Sequence, residues 1–104
     1  MSMAASVVSY TVDHANAEEL IRSVGEHLVP AAPQMAGYRG FMLLDQGEGK
    51  RLAILIYDSV EDVQAAQQTL GPVGREHTYG LMSGPAIGSV ATVVIADGMF
   101  AERQ

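Results

Sequence analysis

The 104 residues carry a net charge of −6, no cysteine, 48% hydrophobic and 17% charged residues. A chain of this length and composition makes one globular domain with one core, residues 1–104. Its acidity would repel a phosphate backbone or an anionic lipid surface, which sets aside nucleic acid and membrane. The missing cysteines set aside disulfides, thiolate catalysis, zinc ribbons and iron–sulfur clusters.

The N-terminus shows no basic region and no apolar stretch of signal-peptide length, and no apolar run nears the ~20 residues that span a bilayer. A cytoplasmic location is the expectation.

Residues 5–12, rich in β-branched and aromatic types, predict a first strand, with Val8, Tyr10 and Val12 on one face and Val7, Ser9 and Thr11 on the other. Asn16 with Glu19 fits a capping box. Leu20, Ile21, Val24 and Leu28 then recur at helical spacing, predicting a helix over 17–29 that Pro30 and Pro33 end. Residues 30–37 read as a loop. Residues 38–45 and 51–58 predict a β-hairpin around Gln46-Gly-Glu-Gly-Lys50, whose two glycines can take positive φ. Ser59 suits an N-cap, and Val60, Val63, Ala66 and Leu70 make the buried stripe of a second helix that Gly71-Pro72 should stop. Residues 73–84 read as loop or as one more helical turn around Arg75–Tyr79. Residues 86–96 predict the fourth strand.

The order β-α-β-β-α-β is the ferredoxin-like α+β pattern, a four-stranded antiparallel sheet with helices on one face. The second and third strands are apolar on both faces: Phe41 and Leu43 against Met42 and Leu44, and Leu52, Ile54 and Ile56 against Ala53, Leu55 and Tyr57. A sheet with one wet face should alternate with polar residues. Two helices cover one face, so the other calls for a partner surface, most simply a second copy of the chain in a homodimer.

Two local patterns carry a resemblance. Ala36-Gly37-Tyr38-Arg39-Gly40-Phe41-Met42-Leu43-Leu44 and Tyr57-Asp58-Ser59-Val60-Glu61-Asp62-Val63-Gln64-Ala65 resemble segments of the antibiotic biosynthesis monooxygenase family, of the dimeric α/β-barrel superfamily. The first is similar to a Pro-Gly-aromatic lead into the second strand, with Ala36 in the proline's place. The second is similar to a Trp-Glu-Ser-x-Glu-Asp-x-x-Ala segment, with Tyr57 for Trp and Asp58 for Glu. The likeness spans about residues 5–97. It implies a dimeric barrel with a cavity between sheet and helices. It also implies one of several activities: oxidation of polycyclic aromatics by O₂ without metal or flavin, haem cleavage, action on small quinones, or none.

The resemblance brings His77 near the axial histidine of the haem-degrading relatives. Those relatives also use a helix-two tryptophan, which falls at about Ala66 here, and a strand-one asparagine, for which this chain offers Ser9 or Tyr10. Haem degradation is therefore disfavoured. The segment from Gly71 to Pro85 sets Arg75, His77 and Tyr79 over apolar strands, the make-up of a small-molecule site. The catalytic expectation is His77 as proton acceptor from a phenolic substrate, with Tyr57 or Tyr79 orienting the anion. Ser9, Arg39 and Arg75 are the expected substrate-binding residues. His14 and His27 read as surface residues and the six methionines as core filler. No metal is expected, because the histidines and carboxylates share no ligand spacing, and no cofactor is expected either.

Two functions remain open. One is a cofactor-independent monooxygenase-like protein acting on a small hydrophobic or aromatic molecule. The other is a non-catalytic small-molecule-binding or structural homodimer of the same fold.

Overall fold

The computed structural model describes residues 2–98. Strand β1 (Ala4–Thr11) leads into helix α1 (Ala17–Ser23), which continues as a π-helical turn over Val24–Leu28. Strands β2 (Tyr38–Gly47) and β3 (Lys50–Tyr57) form a hairpin, followed by helix α2 (Val60–His77) and strand β4 (Ile87–Thr92). The strands pair antiparallel in the order β2-β3-β1-β4, which is the ferredoxin-like sheet.

The hairpin turn places Glu48 and Gly49 both at positive φ, 57° and 77°, as a type I′ turn requires. Gly49 also carries tertiary duty. Its carbonyl accepts the Val12 N–H at 2.9 Å, and a Cβ there would sit 2.5 Å from the Val12 carbonyl oxygen. The turn thus ties the hairpin tip to the end of β1.

The register sorts the sheet into two faces. Ala4, Ser6, Val8 and Tyr10 share a face with Phe41, Leu43, Ala53, Leu55 and Tyr57. The helices pack there, in one cluster around Tyr57, Val63, Ala66 and Leu70 and another around Tyr10, Val12, Leu20 and Val24. The opposite face carries Val7, Met42, Leu44, Leu52, Ile54 and Ile56, and none of these belongs to either cluster.

Four local expectations are corrected. Asn16 makes no side-chain cap, because it already lies in a 3-10 turn (His14–Asn16) with helical φ and ψ, and Glu19 pairs with Arg22 instead. Ile21 turns outward, leaving Leu20 and Val24 as the buried stripe of α1. Helix α2 does not stop at Gly71-Pro72 but runs on to His77. A proline in a helix crowds the Cβ of the residue before it, and Gly71 has none. The extension is secured by Thr78, whose N–H and hydroxyl both bond the Gly74 carbonyl, at 2.8 and 2.7 Å. Strand β4 ends at Thr92 rather than residue 96, because β1 runs out of partners: Thr92 lies opposite Ala4, and the Val93 N–H bonds Met3 as the last rung. Val94 and Ile95, apolar as they are, stand 90% and 89% exposed.

No helix among the described residues is long and apolar enough to cross a membrane.

Candidate functional site

A cavity of about 290 Å³ opens between the inner sheet face and the helices. Its floor is Val8, Phe41, Leu43, Ala53 and Leu55, and its α2 wall is Val63, Ala66, Leu70, Gly71 and Gly74. The hollow is a consequence of small side chains at facing positions: Ala53 and Gly88 on the strands, Ala66, Gly71 and Gly74 on the helix. Close packing would need larger residues at such a contact. The lining is oily with a few polar groups, as small-molecule sites are.

Tyr57 and Tyr10 bring two deeply buried polar groups to it. They are 1% and 6% exposed, both line the cavity, and both hydroxyl oxygens are buried without a hydrogen-bond partner. Burial, with the neighbouring Tyr38, pushes the Tyr57 phenol up to about 12; the Tyr38 ring meets it edge-on at 5.9 Å. Burial raises Tyr10 too, against the opposing pull of the Arg51 guanidinium beside it. Both phenols are therefore uncharged at neutral pH and able to donate. A buried hydroxyl without a partner costs about 1–3 kcal/mol, and both of these face the cavity. Ser6 and Gln67 also line the cavity and bond each other at 3.3 Å, while Arg75 and Tyr79 stand exposed at its rim.

The structure brings Tyr57, Tyr79 and Arg75 to this cavity and leaves three expected residues elsewhere. His77 is the last residue of α2, not a loop residue, and does not line the cavity. Its ring stacks on His27 at 3.6 Å with the planes 7° apart, and its carbonyl accepts the Ser23 hydroxyl at 2.6 Å. The pair cements α2 to α1, so His27 is half-buried rather than a surface residue. Ser9 points to the opposite sheet face by strand alternation, and Ser6 takes the inner place. Arg39 is held by the Asp58 carboxylate and lines no part of the cavity.

Sequence reading missed Tyr10 and Arg51 as site residues. The signal was present. Tyr10 shares the inward face of β1 with Val8, and a buried tyrosine usually needs a partner for its hydroxyl. Arg51 has the same parity as Ala53, Leu55 and Tyr57 on β3. Among the described residues, no three histidine, aspartate or glutamate side chains are grouped so that they could hold a metal ion.

No protein-family model and no curated protein matches the chain. Solved structures do. One described as "Putative antibiotic biosynthesis monooxygenase from Nitrosomonas europaea" is 16% identical over 93% of this chain and 95% of its own, with a TM-score of 0.77. The monooxygenase from the ActVA-Orf6 gene of Streptomyces coelicolor, in complex with nanaomycin D, is 16% identical over 92% and 91%, with a TM-score of 0.76. SnoaB, a cofactor-independent oxygenase from Streptomyces nogalater, solved as a mutant, is 15% identical over 92% and 97%, with a TM-score of 0.74. The chain therefore has the fold of structures described as antibiotic biosynthesis monooxygenases, the fold that its two sequence patterns suggested.

Two outcomes follow from the site's geometry. Replacing His77 with alanine removes an aromatic stack of about 0.5–1.5 kcal/mol. It should lower the thermal midpoint by several degrees while leaving affinity for a cavity ligand unchanged; differential scanning calorimetry and a ligand titration read the two effects separately. The second concerns alkali. An exposed tyrosine titrates near 10 and Tyr57 in the fold at about 12, so the unfolded chain releases this proton first as pH rises. Stability should hold below pH 10 and fall between pH 10 and 12. Urea midpoints across that window should fall less steeply in Tyr57→Phe than in the parent.

Proposed function

We propose that the chain binds a small aromatic molecule in this cavity and oxygenates it with O₂ without a cofactor, working as a homodimer. The observation that carries the reading is the apolar cavity with two buried, unpartnered phenols, supported by the fold shared with SnoaB and the ActVA-Orf6 monooxygenase.

Cofactor-free oxygenation draws its electrons from the substrate. An ionised phenol activates an adjacent ring CH₂, which is oxidised to C=O as O₂ gives one atom to the carbon and the other to water. The enzyme's part is to hold the anion and keep water out. Tyr10 and Tyr57 donate hydrogen bonds to substrate oxygens, the floor around Phe41 and Leu55 packs the ring, and Arg75 and Tyr79 orient the substrate at the mouth. With His77 stacked on His27, no imidazole or carboxylate among the described residues lines the cavity. The substrate must then be acidic enough to ionise on its own. The same observation favours the second reading, a binding protein without turnover. Haem is a poor fit for these residues, since no histidine faces the cavity and Ala66 stands where the haem-degrading relatives carry tryptophan.

Oxygen uptake by aerated protein with a panel of acidic phenols that carry an adjacent ring CH₂ tests the enzymatic reading. Uptake that saturates with substrate, and falls at least tenfold in Tyr57→Phe, is expected. Tight binding with no uptake above the protein-free rate would select the binding protein.

The homodimer rests on the apolar outer face. Ile54 lies on that face, whereas Leu55 lines the cavity. Sedimentation at micromolar concentration should show twice the chain mass. Ile54→Asp should give monomeric, poorly soluble or unfolded protein, since an unpaired buried charge costs several kcal/mol. A well-folded parent sedimenting only as a single chain would remove the dimer.

A further inference from the structure

The two orphaned phenols are not equivalent. Tyr57 lies opposite Ala4 at one end of β1, and Tyr10 lies opposite Arg51 near the other. Six residues of strand separate them, roughly 20 Å at ~3.3 Å per residue, so they sit toward opposite ends of one cavity. The surroundings differ in charge. Beside Tyr57 is the edge of the Tyr38 ring. Behind Tyr10 is Arg51, 8% exposed, its Nε buried without a hydrogen-bond partner. Its charge is only partly answered: the nearest carboxylate, Asp45, lies 3.6 Å from Nε, is mostly exposed to water, and already accepts the Gly47 N–H at 2.9 Å.

Building on the proposed aromatic-binding role, we infer that the cavity reads an elongated aromatic ligand by its two ends, a neutral carbonyl at Tyr57 and an anionic oxygen, such as a carboxylate or phenolate, at Tyr10 backed by Arg51. Tyr10 touches the ligand. Arg51, which does not line the cavity, is a positioning residue: its field favours negative charge on whatever accepts the Tyr10 hydrogen bond. Two ends of unlike charge preference also set which way round the ligand lies, and so which of its ring carbons faces the Ser6–Gln67 pair at mid-cavity.

Calorimetric titration with three probes separates the ends: 2-acetylnaphthalene, 2-naphthoate and the longer 4′-acetylbiphenyl-4-carboxylate. The third, carrying both groups, should bind tightest. Tyr57→Phe should weaken the two ketones about fivefold, the worth of one neutral hydrogen bond, and leave 2-naphthoate unchanged. Tyr10→Phe and Arg51→Gln should weaken the two carboxylates about tenfold or more, as hydrogen bonds to charged groups do, and leave 2-acetylnaphthalene within twofold. Asp45→Asn, on an exposed side chain, should tighten the carboxylates, and it carries the Arg51 argument if Arg51→Gln fails to fold. The thermal midpoint of Tyr57→Phe should equal or exceed the parent's, because its hydroxyl has no internal partner.

Equal losses for ketone and carboxylate probes in both tyrosine variants would overturn the end-specific reading while leaving the aromatic-binding role intact. So would carboxylate affinities indifferent to Arg51 and Asp45. Failure of all three probes to bind the parent would remove the aromatic-binding role, and this inference with it.

Discussion

Two helices can cover one face of a four-stranded sheet and no more, and the layout of this protein follows from that shortage. The inner face, under α1 and α2, holds both core clusters and both buried tyrosines. The outer face is scarcely less apolar, with Leu52, Ile54 and Ile56 in a row on β3, yet no helix among the described residues packs on it. A chain that keeps both faces of its central strands oily bears the cost of exposing one until something covers it. The same geometry leaves β4 at the sheet edge, where its length is set by how far β1 extends beside it.

The cavity is the second consequence of how helix meets sheet. Val63 and Leu70 both join the core and line the cavity, so the contact between helix and sheet is closed only in part. Where α2 presents Ala66, Gly71 and Gly74, it stays open. Continuing the helix through Pro72 matters here, because a helix ending at residue 70 would carry neither Gly74 nor Arg75 to the cavity. The extended helix also brings His77 onto His27, so the stacked pair ties the end of α2 to the turn that follows α1. The histidine that chemistry would assign to the site serves instead as its frame.

Into this space the strands aim two phenols rather than a charged acid or base. Neutral donors in an apolar pocket suit a ligand that brings its own acceptors, and leaving them unpartnered is a stability cost of the kind functional sites carry. Arg51 gives one end of the pocket a positive bias without placing a full charge on the cavity wall.

Local signals along the chain settle the order and kind of the elements. β-branched runs, an N-cap at Ser59, a glycine turn at 47–49 and helical spacing in Val63, Ala66 and Leu70 are local signals, and local physics reads them correctly. Strand parity even assigned Val8 and Tyr10 to one face. It did not decide where elements end or which polar residues meet. Gly71-Pro72 looks like a stop because the signal is local, while the contacts that carry α2 past it, Thr78 on Gly74 and His77 on His27, are made only after folding. β4 looks long because Val93-Val94-Ile95 has strand propensity, while its end depends on where a distant strand begins. Tyr10 and Arg51 lie 41 positions apart in the chain, and only antiparallel pairing of β1 with β3 sets one beside the other. Propensity is a property of neighbours along the chain; a site is a property of neighbours across it, and the tertiary structure alone supplies those.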